Sequence, residues 1–226
     1  MNKKTIQILS TKKLSTSQLQ LANELGICIT DIDFIFIHTR IDELSTSIIK
    51  NIQDNDFVIF TSKYAVQAVA SHLKSKSIKV YCINGATLNA VQNELPLSQV
   101  IASAAYAADL VPLIKISRTS NYYFFCGNKS LPTIPQFFIQ NEMLLNKVVV
   151  YENIAMPQQI QQEFDGVMFY SPSGVESFLK MNTVPSLSIC IGTTTANALK
   201  DEKKIKLIAE QPQIENMIAL IKRYYL

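Results

Sequence analysis

The sequence predicts an α/β protein of two similar domains, each with a parallel sheet flanked by helices, one inserted in the other and joined by a two-strand linker. Three observations predict it. Short apolar segments alternate with helical patterns, an internal repeat covers much of the chain, and the first residues fall outside that repeat. At 226 residues the chain is long for one small domain and comfortable for two of about 100. With 48% hydrophobic and 17% charged residues, a core is easily buried, and disordered and fibrous classes are excluded.

The candidate strands are TIQILST (5–11), ICITDIDFIFIHT (27–39), DFVIFTS (56–62), KVYCIN (79–84), NYYFFCG (121–127), KVVVYENI (147–154), GVMFYS (166–171), LSICIG (187–192) and KLIAEQ (206–211). Between them, apolar residues recur at helical spacing, as in Val66, Val69, Ala70 and Leu73, and again in Ile214, Met217, Ile218 and Ile221. Strands alternating with helices argue for parallel sheets covered on both faces.

The repeat has three matches in order. FTSKYAV (60–66) answers FYSPSGV (169–175) at an offset of 109, and INGATLNAV (83–91) answers IGTTTANAL (191–199) at 108. Leu113, Ile114 and Lys115, read as a helix end, answer Leu220, Ile221 and Lys222 at 107. Residues 1–33 supply one strand and one helix before the first copy begins. Ser15 or Ser17 can cap that helix, and Gly26 stops it after Leu25. The economical arrangement joins residues 1–33 to 156–226 in a discontinuous domain and inserts residues 41–146 as the other. Two extended crossings, 34–40 and 147–155, serve as antiparallel linker strands, leaving a cleft and a hinge.

Each repeated unit ends a strand on small hydroxyl residues and then opens a helix. In the inserted domain these are Thr61 and Ser62, then Asn84, Gly85, Ala86 and Thr87; in the other they are Ser171, Pro172, Ser173 and Gly174, then Gly192, Thr193, Thr194 and Thr195. Ser173 stands three before Glu176, the spacing of a capping box. Free N–H groups and the positive dipole end make helix starts natural carboxylate or phosphate sites. Ligands of open parallel sheets gather at the carboxyl ends of the strands, where these turns lie. One such turn needs only to cap its own helix. Four in two facing domains are better explained by a shared ligand carrying several negative groups.

What the sequence lacks narrows the chemistry. The net charge of +3 and the alternating charges of residues 200–206 offer no nucleic-acid tail. There is no GxGxxG or GxxxxGK[ST] loop, no GxSxG elbow and no Asp/Glu cluster with metal-ligand spacing. His38 and His72 stand in unrelated settings and read as structural. Cys28, Cys82, Cys126 and Cys190 are far apart, which fits reduced thiols in the cytosol. The start has too short an apolar run for a secretory signal, and no stretch reaches the roughly 18 apolar residues of a membrane span. An enzyme of this composition works by positioning and hydrogen bonding.

Taken together, these motifs resemble the uroporphyrinogen-III synthase family. FTSKYAVQAV is similar to its FTS-x-x-AV turn, CINGATLNAV to its V-G-x-x-T turn, and YFFCGNKSL to its strand-plus-Gly segment. VVVYENI resembles its linker strand, and FYSPSGVESFL with ICIGTTTANALK resembles its SPSG and IG-x-TTA pair. The likeness runs in order along nearly the whole chain. It implies a cytoplasmic lyase, expected to be a monomer, that needs no metal or organic cofactor and has no nucleic-acid or membrane partner. The implied substrate is hydroxymethylbilane, a linear tetrapyrrole with eight carboxylates. Loss of its terminal hydroxyl gives an azafulvene, which closes through a spiro intermediate with inversion of the last ring.

By the same resemblance Tyr151 is the catalytic assistant, hydrogen-bonding the departing hydroxyl. Thr11, Lys12, Thr61, Ser62, Gly85, Thr87, Gly127, Ser171, Ser173, Gly174, Thr194 and Thr195 are the implied substrate-binding positions. Departures from the family pattern are Lys12 where Arg is frequent, Asn84 before Gly85, and Asn153 where Thr is usual. Lysine keeps the charge of arginine and loses its bidentate geometry. Two other readings stay open on sequence: a non-catalytic two-domain hinge module that captures a polyanion or sugar, and an inactive relative that binds tetrapyrrole without closing it.

Overall fold

A computed structural model describes residues 5–201 and 203–225. The first four residues of the amino-terminal reading and Glu202 of the charged cluster lie outside the described residues. Along the chain the strands and helices are β1 (Ile6–Ser10), α1 (Thr16–Glu24), β2 (Ile27–Asp31), β3 (Ile35–Thr39), α2 (Glu43–Asn51), β4 (Phe57–Phe60), α3 (Lys63–Leu73), β5 (Lys79–Ile83), α4 (Ala86–Glu94), β6 (Gln99–Ala104) and α5 (Ala107–Leu110). Then come β7 (Tyr122–Gly127), α6 (Thr133–Gln140), β8 (Asn146–Ala155), β9 (Gly166–Phe169), α7 (Pro172–Leu179), β10 (Leu187–Cys190), α8 (Thr193–Ala198), β11 (Ile205–Ile208) and α9 (Ile214–Tyr225). They form two compact units, residues 1–36 with 154–226, and residues 37–153.

The first unit holds a five-stranded sheet in the order β11-β10-β9-β1-β2, every neighbouring pair parallel. Numbered along the chain this is the doubly wound order 2-1-3-4-5, in which the strand order reverses between β1 and β9. One face packs Ile8, Ile27, Met168 and Ile189 against Ala22 of α1 and Met217, Ile218 and Ile221 of α9. The other packs Leu9, Val167, Phe169 and Cys190 against Val175 and Phe178 of α7 and Ala196 of α8. Helical spacing in α9 places its three buried residues on one stripe, and charged Glu215, Lys222 and Arg223 fall near its ends with the sign the helix dipole favours. Ser15, rather than Ser17, caps α1, in a reciprocal box with Gln18.

The second unit holds the sheet β3-β8-β7-β4-β5-β6. From β8 to β6 all pairs are parallel. Taking β7 and β8 as first and second, β4, β5 and β6 follow in the same 2-1-3-4-5 order, so this sheet is a circular permutation of the other. Its reversal lies between β7 and β4. Strand β7 is buried along its whole length, as a central strand covered on both faces must be. Val58, Phe60, Val80 and Phe125 pack under α2, α3 and α4, while Ile59, Tyr81, Tyr122 and Phe124 pack under α5 and α6.

Three expectations are corrected. The segment 27–39 is two strands in two different sheets: Ile32 and Phe34 turn inward, their N–H groups bonding the carbonyls of Ser10 and Thr11, and Phe34 is fully buried. Apolar periodicity continues through this break, so the strand pattern runs the two together, although the expected domain division at residues 33 and 34 falls between them. Strand β6 was not expected, because QVIASA is a half-exposed edge with small residues at its end. The third repeat match does not hold as helix: Pro112 ends α5 in a single 3-10 turn (Val111–Leu113), leaving Lys115 outside, whereas Leu220, Ile221 and Lys222 lie within α9.

Candidate active site

Parallel pairing puts the carboxyl ends of the five parallel strands in each unit at one edge of its sheet, and the expected turns gather there. In the second unit the reversal point brings together the ends of β4 and β7. Ser62 caps α3, its Oγ accepting from the Tyr64 N–H at 3.2 Å. Gly127 closes β7, and Tyr151 of β8 is its partner across a register shift after Cys126. That irregularity sets Val150 aside from the ladder and aims Tyr151 back over β7. A Cβ on Gly127 would lie 2.5 Å from both Cε2 and Cζ of the Tyr151 ring and 2.8 Å from its hydroxyl. The absence of a side chain at residue 127 is therefore what lets the ring lie on the strand.

The Tyr151 ring also meets Tyr64 of α3, centroid to centroid 5.8 Å. Burial pushes its phenol above the ordinary tyrosine value, and a hydrogen bond with the Ser62 side chain pulls the other way. The net direction is upward, so at neutral pH the group is a protonated donor. Asn128, following Gly127, is bonded to β8 twice, through its N–H to the Tyr151 carbonyl and through Oδ1 to the Asn153 N–H. The tyrosine-bearing stretch is thus fixed from both sides of the residue.

Gly85 precedes α4 with φ +71° and open space at its Cβ position, a backbone that glycine adopts without strain. Two residues on, Thr87 is buried. Thr61 is half-buried at the end of β4. These groups line the same sheet edge as Tyr151.

In the first unit the reversal joins the ends of β1 and β9. Thr11 is buried, and both its N–H and its Oγ1 bond the Met168 carbonyl, at 3.1 and 2.7 Å. Its hydroxyl ties the two strands together. Lys12 sets its ammonium over the Tyr170 ring, 5.3 Å from the centroid. Ser171 caps α7 by accepting from the Gly174 N–H at 3.1 Å, and Pro172 occupies the first turn, where its missing N–H costs nothing. The capping box expected between Ser173 and Glu176 is not formed: Ser173 lies inside the helix and Ser171 is the cap. The hydroxyl at the strand end is the one with extended backbone, φ −163°, which a cap requires. Gly174 is buried beside Thr11. In α8, Thr195 is buried and Thr194 exposed, after a Gly192 that supplies no side-chain cap.

Burial pushes the Cys82 and Cys190 thiols up to about 11, so neither is a thiolate at neutral pH. His38 and His72 are both exposed. Among the described residues no group of three His, Cys, Asp or Glu is placed to hold a metal, and no helix is long and apolar enough to cross a membrane.

Two doubly wound sheets related by permutation thus each carry hydroxyl-bearing helix starts at their reversal points. The family model of uroporphyrinogen-III synthase HemD matches residues 23–219. The chain belongs to the uroporphyrinogen-III synthase family. Members are cyclising lyases of tetrapyrrole biosynthesis. Solved structures agree on the fold. The chain is similar to uroporphyrinogen-III synthetase from Helicobacter pylori 26695, with TM-score 0.69 at 16% identity over 97% of this chain and 99% of that one. A mutant of the uroporphyrinogen III synthase from the extreme thermophile Thermus thermophilus gives 0.69 at 15% identity over 96% and 98%. The wild-type Thermus protein in another crystal form gives 0.53 at 15% identity over 96% and 97%. No curated protein matches.

Sequence reasoning missed Tyr170, Ser10 and Tyr64. A tyrosine inside an apolar strand reads as core, and only the three-dimensional pairing of β1 with β9 shows that the Tyr170 hydroxyl meets Ser10.

Proposed function

We propose that this chain cyclises hydroxymethylbilane to uroporphyrinogen III, with inversion of the last pyrrole ring and loss of water, and that Tyr151 assists departure of the terminal hydroxyl. The observation that carries the residue-level reading is the Tyr151 ring laid over Gly127 at the reversal point of its sheet, next to the start of α3. A protonated phenol there donates a hydrogen bond to the leaving oxygen. The hydroxyl departs with a proton as water, leaving an azafulvene. The substituted carbon of the last ring attacks it to form a spiro centre, and breaking and remaking that ring's bond yields the inverted product.

Spontaneous closure gives the symmetric isomer, so the enzyme's work is to hold the chain bent for the other closure. Carboxylates are bound by the N–H groups at the starts of α3, α4 and α7, with the side chains of Lys12, Thr61, Ser62, Thr87, Ser171, Ser173, Thr194 and Thr195. Gly85 leaves open space for a carboxylate to approach the start of α4, Gly127 serves the site by seating the Tyr151 ring, and Gly174 and Thr11 act by packing β1 and β9 together. The active form in this reading is a cytoplasmic monomer with no nucleic-acid or membrane partner.

The test is a coupled assay in which hydroxymethylbilane is generated by its own synthase, this protein is added, and the oxidised porphyrins are resolved into isomers I and III. A dominant isomer III is the expected result. Isomer I alone, at the rate seen without the protein, leaves a binding module as the better account.

A further inference from the structure

Lys63 opens α3 directly after its cap Ser62, at the sheet edge that carries Tyr151. The positive end of a helix dipole favours an acidic residue there and disfavours a lysine. The chain follows this rule in α2, which opens with Glu43, and in α9, which has Glu215 in its first turn. The starts of α3, α4, α7 and α8 have no acidic residue in the first turn, and α3 adds a cation. Among the described residues the half-buried Lys63 forms no ion pair; its ammonium stands over the Tyr64 ring, 5.1 Å from the centroid. That ring meets the Tyr151 ring in turn, centroid to centroid 5.8 Å. The Ser62 Oγ accepts from the Tyr64 N–H and so fixes the turn that carries both residues.

We infer that Lys63 is a substrate-binding residue whose ammonium takes one of the substrate's carboxylates beside Tyr151. The inference rests on the reading of this edge as the site for hydroxymethylbilane. Two positive fields converge at the start of α3, the ammonium and the dipole end, and no acidic side chain of the first turn offsets them. An anion placed there relieves that repulsion and accepts charge-assisted hydrogen bonds. The Tyr64 ring narrows the range of the lysine stem, which reduces the rotamer entropy that binding must remove. A lysine at this position weakens the free fold and strengthens the complex, the opposite of what packing alone selects.

The test compares Lys63→Met, Lys63→Arg and Lys63→Glu with the wild-type protein. It measures KM and kcat for hydroxymethylbilane, the Kd of the oxidised isomer III porphyrin by its fluorescence, and urea unfolding. Lys63→Met keeps the stem and removes the charge; it raises KM and Kd by about tenfold with kcat unchanged. Lys63→Arg stays within about twofold of the wild type, and Lys63→Glu raises both constants by about a hundredfold. The urea midpoint of Lys63→Glu lies at or above that of the wild type, as the dipole requires. A Lys63→Met protein with unaltered KM and Kd overturns the inference, as does a Lys63→Arg protein as impaired as Lys63→Met. Weaker binding by Lys63→Glu with a lowered urea midpoint also overturns it, since the lysine then serves the fold. Isomer I alone from the wild-type protein overturns the function proposed above; a Kd that still rises in Lys63→Met then leaves the Lys63 site standing without it.

Discussion

The two reversal points are built on the same strand order yet use a tyrosine in opposite ways. In the second unit Tyr151 comes from the neighbouring strand β8 and lies on a glycine, with its phenol beside Ser62 at a helix start. In the first unit Tyr170 follows β9 directly; its hydroxyl meets the Ser10 hydroxyl and the Met168 sulfur, while a lysine rests on its ring. One ring lies on a glycine beside a helix start, and the other lies beneath a lysine. The permuted sheet fixes where such groups stand, and local choices such as a glycine or a register shift decide what they do.

Changes at the two points therefore have different signatures. The largest effect is expected from Gly127→Ala. Its new Cβ would lie 2.5 Å from the far end of the Tyr151 ring, which swings aside more readily than backbone. Isomer III formation falls by about a hundredfold, as for a misplaced catalytic group, while urea unfolding shifts by no more than about 1–3 kcal/mol. Equal loss of stability and activity would instead mean that the glycine serves packing alone.

Next comes the pair of glycine caps. Gly85→Ala forces a left-handed backbone at φ +71° on a residue with a side chain and costs about 1–2 kcal/mol. Gly192→Ala, at an extended φ of −176°, costs less than about 1 kcal/mol. Denaturant titration of both variants checks the order, and the reverse order would contradict the described backbone.

The serine caps sharpen the contrast further. Ser62→Ala and Ser171→Ala each remove a side-chain acceptor from a helix start and each cost about 1 kcal/mol. Only Ser62→Ala also lowers kcat, because Ser62 reaches the Tyr151 phenol; Ser171→Ala changes KM. Steady-state kinetics separates the two.

The smallest effect concerns Asp31, at the end of β2. Burial raises its carboxyl, but bonds from the Leu14 N–H and Lys13, with the lysine charge, outweigh this and hold it below the ordinary value. A depressed folded-state value stabilises the protein above about pH 4 and is lost as pH falls through that folded value. Asp31→Asn is expected to flatten the acid limb of stability by under about 1 kcal/mol, since Lys13 is largely exposed. An unchanged acid limb would remove Asp31 from the account.

Much of this was legible in the residues. The repeated turns at Ser62 and Ser171 are both helix caps, and the buried threonines Thr87 and Thr195 fall in the repeat's second match. These signals are local, carried by capping chemistry and helical spacing. What could not be read depends on pairing between distant strands: the register shift after Cys126, and the meeting of Ser10 with Tyr170, 160 positions apart. Motif likeness marked Gly127 as a substrate-binding position, whereas its contact with Tyr151 makes it a seat for the ring.

The most direct measurement is the single-turnover rate of isomer III formation by Tyr151→Phe against the wild-type protein. The phenyl ring keeps its seat on Gly127 and loses only the donor, so a fall of about tenfold or more with an unchanged KM is the predicted result. A Tyr151→Phe protein that forms isomer III at the wild-type rate would contradict the assignment of the phenol to the departing hydroxyl.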